Sequence, residues 1–437
     1  MGVDSTSKTG SSVPHVFFFV GQFNHVDHMM PIAYKLCESN RGRPVVLVTN
    51  PFYDIAGDYR LKFLRDRYSV QSSHLIRFHP IMPLFGWAAH WLSLPRWGNF
   101  LREGRQFLLR ALRKLFYDKG WAGRMLGRYR PAALVFEWAN PTYGLTGAFV
   151  SAGHARGIPA FSVPHGVYIF TNELINGVER ENGRVNRDYQ NRYDRAVYAN
   201  RLHADRSIEE GVEADRIAVL GSVRYCREWQ QLNLNIQPKQ FAPQKGLGCT
   251  FKVVFMLPQW NLNVDSSATI RALWRMADEP WLHLVLKPHT QEVDIPYSYL
   301  KELESLPNVE VASDIGSVAL IKGTDAMMGM GTDVAIEALR QGKYHLDPAY
   351  LYDNTTLLQE LGAGWQVHSD DELIAALTRL ASGEPPPYGD QQVSEAIERL
   401  VVESSPEDDI LMRHVDFILG EWREHPTYDA QLQANGK

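Results

Sequence analysis

Three stretches hold residues whose types and spacing could do chemistry. Gly329–Lys343 (GMGTDVAIEALRQGK) joins a glycine turn to a helical pattern. Glycine permits a tight turn and the close approach of a ligand. A helix opening at Thr332 would present unpaired backbone N–H groups and a partial positive charge, and both favour a phosphate. Thr332 is a fitting cap beside Gly331, Gly342 is a fitting stop, and Glu337 is placed to meet a ribose edge. Leu284–Thr290 (LVLKPHT) ends an apolar run on Lys287 and His289, which could neutralise a leaving phosphate. The loop Gly21–His28 (GQFNHVDH) and Glu137 follow two other apolar runs. With His165, they offer imidazoles and a carboxylate that could position an acceptor hydroxyl and remove its proton. Transfer of a sugar needs both ends of this chemistry, because charge develops on the leaving group and the nucleophile together.

The elements that must position these groups read as strands alternating with helices. His15–Val20, Pro44–Thr49, Ala132–Phe136 and Pro159–Val163 are short apolar runs in the first half. Phe251–Leu257, Trp281–Leu286, Val309–Val311 and Asp325–Met328 repeat the signal in the second. Such runs fit strands buried on both faces of parallel sheets, so the predicted fold class is α/β, two doubly wound Rossmann-like domains facing a cleft. Ligands of such sheets bind at the carboxyl ends of the strands. That rule puts Gly21, Asn24, His25, His28, Glu137 and His165 at the mouth on one side. On the other it puts Gln259, Asn261, Asp265, Lys287 and His289. The chain of 437 residues suits two domains. We expect an acceptor domain over 1–235, a donor domain over 236–395 and C-terminal helices over 396–437 that cross back to the first. Gln230–Gly248 reads as the linker, and Asn172–Arg192 as a polar loop over the site.

Composition narrows the partners. A net charge of −5 gives no reason to expect nucleic acid. The three cysteines are scattered, so neither a disulfide framework nor a zinc site is indicated. His25 and His28 have a spacing seen in metal sites but lack a third ligand, so no metal is expected. The first residues are polar and no apolar run is long enough to span a bilayer, which makes the cytoplasm the expected compartment. Residues 85–130 form an insert of different character, rich in Trp and in Lys and Arg. Leu101, Leu108, Leu112 and Leu115 share one helical face there, while Arg110, Arg113 and Lys114 project elsewhere. A core-packed helix with a solvated basic face accounts for this pattern. Contact with an anionic acceptor or with the inner leaflet of a membrane is the sharper alternative.

Four pieces together carry a resemblance: VPHG at Val163–Gly166, RIAVLGSVR at Arg216–Arg224, LVLKPHT, and GMGTDVAIEALRQGK. The pattern resembles GT-B glycosyltransferases of bacterial capsule and surface-polysaccharide synthesis. More distantly it is similar to CMP-sugar transferases of sialic acid and Kdo type, CDP-glycerol glycerophosphotransferases and non-hydrolysing UDP-sugar 2-epimerases. The resemblance implies a nucleotide-sugar donor of CMP or UDP type, no further cofactor, and a glycan or lipid-linked glycan acceptor. It implies donor contacts from His289, Gly331, Thr332 and Glu337, to which Lys287, Gln259 and Asn261 are added by position. A catalytic acidic residue is implied in the first-half cleft or the interdomain loop, with Glu137 the first candidate and Asp265 the second. Several of these families have His-Pro where this chain has His289-Thr290, and a serine pair where it has Gly331-Thr332. The donor's identity therefore does not follow. An epimerase or hydrolase acting on a nucleotide sugar is the alternative of the same fold, and a non-catalytic sugar-binding protein is another. A dinucleotide-binding oxidoreductase is disfavoured, because Val334 stands where a third glycine would be needed.

Overall fold

The computed structural model describes residues 13–79, 118–164, 166–172, 185–246, 248–260, 263–289 and 297–426. The insert's leucine face and basic cluster, His165 and Asn261 lie outside the described residues, as does most of the polar loop.

Two sheets form the scaffold. The first has seven strands: β1 (His15–Val20), β2 (Arg43–Val48), β3 (Gln71–His74), β4 (Ala133–Glu137), β5 (Ala160–Val163), β6 (Arg195–Tyr198) and β7 (Ile217–Val219). Their order is β3-β2-β1-β4-β5-β6-β7, and the pairings from β3 through β6 are parallel. The second has six strands: β8 (Phe251–Met256), β9 (Leu282–Lys287), β10 (Val309–Val311), β11 (Ala326–Gly329), β12 (Tyr344–Pro348) and β13 (Trp365–Val367). Their order is β10-β9-β8-β11-β12-β13, parallel throughout. This is the doubly wound architecture that the alternating runs predict.

Strand β1 shows why the apolar runs become central strands. Val16 to Val20 are all buried, and Phe18 sits opposite Val46 of β2 and Val135 of β4. A strand with neighbours on both edges and helices on both faces has no polar side to offer, so its sequence does not alternate. Phe19 stacks on Phe136 at 4.3 Å between centroids, and Trp121 meets Phe149 edge-on, filling one face of the first sheet. In the second sheet Val253, Phe255, Leu284 and Leu286 pack against the helix Ser266–Ala277 through Ala272, Leu273 and Met276.

By its contacts the chain divides into two compact units, one within 1–165, 189–197 and 411–437, the other within 166–188 and 198–410. In the first unit the helix Ile410–Leu419 and the turn after it lie against β5, with Phe161 meeting Phe417 and Trp422. In the second, the helix Asp390–Val401 is fixed at its end by Ser222 N–H donating to the Val401 carbonyl.

Several elements differ from the sequence reading. The first helix begins at Phe23, not Met29, and continues through Pro31 to Glu38. Part of the expected linker is helical instead, because Arg227–Ile236 buries Trp229, Gln230 and Asn233. Ser73–Phe78, which the sequence pattern offers as the strand after Pro44–Thr49, is only partly strand; the chain turns into a 3-10 helix at Leu75. Strand β13, at the sheet edge opposite β10, has no counterpart in the sequence reading.

Candidate functional site

Each sheet reverses its strand order once, between β1 and β4 in the first and between β8 and β11 in the second. Side chains following those strands line the crevice where such folds bind ligands. Of the described residues singled out from sequence, Gly21, Glu137, Gln259, Lys287 and Gly331 lie at strand ends at or next to these reversal points.

At the first, the register that sets Phe19 opposite Phe136 brings the end of β1 beside Glu137, the last residue of β4. The chain turns at Gly21 and enters the helix Phe23–Glu38, with Asn24 and His25 in its first turn. The backbone N–H of Gly21 donates to His25 Nδ1 at 3.0 Å. On the other side of the ring, Nε2 lies 3.2 Å from Glu137 Oε2, and both side chains are largely buried. Gly21 has no room for a larger residue, since a Cβ there would lie 2.8 Å from Thr49 Oγ1. His28, next in the loop's pattern, is buried in the helix at 3% exposure. Among the described residues no group of three or more His, Cys, Asp or Glu is arranged to hold a metal ion.

Two supports are missing from the sequence reading. Tyr193, fully buried before β6, donates from its hydroxyl to the Ala139 carbonyl at 2.7 Å and so pins the backbone just past Glu137. Burial and the nearby Glu137 carboxylate hold its phenol in the protonated form. Arg60, with no exposed surface, pairs with Asp27 and Asp58, and its guanidinium lies 3.8 Å from the Phe23 ring centre. That cluster ties the first turns of the helix carrying His25 to the helix Tyr59–Tyr68. A signal for Arg60 existed, since Asp58 precedes a helical run as a capping residue should; its side chain does cap Arg60 and Leu61 N–H.

At the second reversal point, strands β9, β8 and β11 lie side by side, so Lys287 and His289, Gln259, and Gly331 follow three neighbouring strand ends. Gln259 and His289 are half-buried. Lys287 Nζ donates to the Ser313 carbonyl at 2.7 Å, and burial pulls its ammonium down to about 8, against the opposing pull of Asp314. Asp265 caps the helix Ser266–Ala277, its Oδ1 accepting Ala268 N–H at 2.9 Å.

The glycine turn departs from expectation in one respect. The helix after it runs Ala335–Arg340, opening later than Thr332, whose hydroxyl instead accepts from Val334 N–H at 3.3 Å. Gly331 adopts a φ of +57°, as a turn glycine should. Its α-carbon faces two rings of the same unit: a Cβ there would lie 2.7 Å from Phe170 and 3.2 Å from Tyr352. Asp333 Oδ2 accepts Val167 N–H at 3.0 Å, so a carboxylate stands at the turn where the sequence reading puts a phosphate. Glu337 is buried at 1% exposure. One of its oxygens accepts from Arg224 at 3.1 Å and the other from Ser317 at 2.7 Å. Behind the turn, Asp347 at the end of β12 accepts from Tyr352 at 2.8 Å, and burial raises its carboxyl to about 7.

No protein-family model matches this chain, and no curated protein matches it in sequence. Solved structures do match in shape. UDP-N-acetylglucosamine 2-epimerase from Rickettsia bellii aligns with a TM-score of 0.58 at 10% identity, over 94% of this chain and 98% of that one. UDP-GlcNAc 2-epimerase from Neisseria meningitidis, solved bound to UDP-GlcNAc, aligns at 0.52 and 14% identity, over 88% and 98%. The glycotransferase of kitacinnamycin aligns at 0.51 and 15% identity, over 94% and 99%. The fold is GT-B. At these identities the likeness speaks for the fold alone, and GT-B proteins serve both kinds of enzyme named here. No helix among the described residues is long and apolar enough to cross a membrane.

Proposed function

We propose that this GT-B chain is an enzyme acting on a nucleotide sugar, with Glu137 as the group that takes or gives a proton at the sugar. The observation that carries the reading is the His25–Glu137 pair at the β1/β4 reversal, where open parallel sheets bind their ligands. For a donor's phosphates we propose Lys287 and His289 of the second unit, with Gln259, Gly331 and Thr332 after the neighbouring strands of that same sheet. Glu337 acts there through Arg224, which it holds in place. Asp265, engaged as a helix cap, is a poorer candidate for proton transfer than Glu137.

Two reactions share these parts. The solved neighbours favour a UDP-sugar 2-epimerase or hydrolase, in which the bond from sugar to diphosphate breaks with no separate acceptor. Transfer to a glycan acceptor is the second reading, supported by the glycotransferase neighbour and by the four sequence pieces above. Uridine is the base to test first; a CMP-activated acidic sugar such as Kdo and a capsule or lipopolysaccharide acceptor remain the sequence-based proposal. Neither reading needs a metal, because Lys287 and His289 carry the charge, and turnover should survive excess EDTA.

Thermal-shift titration with UDP, CMP, CDP, GDP and NAD names the base. Incubation with UDP-GlcNAc, with and without an acceptor glycan, then separates C2 epimer, free sugar and transferred sugar. Glu137→Gln should lower turnover by about 10²- to 10⁴-fold, the usual share of general acid–base catalysis, with nucleotide affinity nearly unchanged. Full activity in that variant would remove Glu137 from the mechanism.

A further inference from the structure

We infer that His25 is a positioning residue for Glu137, and neither an acid–base group itself nor a ligand for the acceptor. The inference rests on the reading that Glu137 handles a proton. Its ground is the direction of two contacts on one ring. A backbone N–H can only donate, so the 3.0 Å contact from Gly21 makes Nδ1 the acceptor. The ring proton is then on Nε2, which points at Glu137 Oε2 across 3.2 Å. A histidine serving as a base needs an open lone pair, and the one this ring has is spent on Gly21. A doubly protonated ring would set an N–H against the Gly21 N–H. The imidazole is thus a donor, fixed by Gly21, that orients the carboxylate.

The backbone makes the arrangement hard to avoid. Gly21 and His25 are separated by one helical turn, so the amide that ends β1 meets the ring as the helix begins. Thr49 closes the space beside Gly21. Groups facing Glu137 include His25 from the first helix and Tyr193 from the segment before β6, and Tyr193 is already committed to the Ala139 carbonyl.

The test needs no assumption about the substrate in its first arm. Nitrogen-15 NMR of the histidine rings in the full chain at pH 7 should show His25 as the Nε2–H tautomer, with Nδ1 unprotonated. Glu137→Gln should shift the Nε2 resonance. An Nδ1–H or doubly protonated ring, or an Nε2 signal indifferent to Glu137→Gln, overturns the inference. The second arm uses UDP-GlcNAc as the probe. His25→Ala should lower kcat about 10- to 100-fold, the loss of one hydrogen bond to a charged group, with KM little changed. His25→Gln can still donate an N–H but cannot act as a base; it should recover most of the rate and keep the acidic limb of the pH profile. A His25→Gln variant as slow as His25→Ala, or one without that limb, makes His25 the base and overturns the proposal. If Glu137→Gln turns over normally while the tautomer is as stated, the functional reading fails and the ring geometry stands.

Discussion

At the β1/β4 edge a histidine and a carboxylate meet each other, whereas at the β8/β11 edge the polar groups are held by other protein groups. Glu337 holds Arg224 and Ser317, Lys287 holds the Ser313 carbonyl, and Asp333 holds the Val167 amide. The two edges have the same topology, a parallel sheet with one reversal, so the difference lies in the side chains placed there. On the proposed reading, the first edge moves a proton and the second holds charge in fixed positions.

The comparison can be broken most sharply at Glu337. Glu337→Ala leaves Arg224 largely buried without its carboxylate and should cost about 3–5 kcal/mol of stability, read by chemical denaturation. Glu337→Gln, whose Oε1 can still accept from Arg224 while its amide N–H donates to the Ser317 hydroxyl instead, should recover part of that loss. A cost below about 1 kcal/mol would mean that the pair behaves like an exposed one. His289→Ala should reduce turnover about 100-fold if its ring faces the leaving phosphate, as removal of one charge-stabilising donor does. Unchanged turnover would confine phosphate recognition to Lys287 and the turn.

Lys287 offers a pH test. Its folded value, about 8, lies below the ordinary 10.5, so the unfolded chain binds more protons between those limits. The penalty on stability is therefore full below about pH 8, and is relieved as pH rises through that window. Binding runs the opposite way: the ammonium is lost above about pH 8, and nucleotide affinity should fall between about pH 7 and about pH 9. Calorimetric titration should show that fall in the natural chain and a flat response in Lys287→Met. The smallest expected effect is at Asp333. Asp333→Asn keeps an acceptor for Val167 N–H but removes a negative charge from the turn, and should tighten phosphate binding a few-fold, about 1 kcal/mol or less. No change would place the phosphate away from this turn.

Much of this was legible in the chain itself. Buried runs such as VFFFV in β1 and ALVF in β4 have no polar face, and only strands covered on both sides satisfy them. From their alternation with helices follow the two sheets, and with them the placing of Gly21, His25, Glu137, Lys287 and Gly331 at or just past strand ends. Local capping chemistry was also readable in part, as Asp265 and Asp58 show, although Asp265 was weighed for catalysis and Thr332 for a helix start.

What no reading of the chain could supply was which of these residues touch. His25 and Glu137 are far apart in sequence and meet because β1 pairs with β4 across the reversal, a choice made by the packing of whole layers. Arg224 reaches Glu337, and Val167 reaches Asp333, by the same kind of long-range closure. Local pattern decides element type because it depends on neighbours along the chain. Partnership depends on strand order and register, which only the assembled core can select.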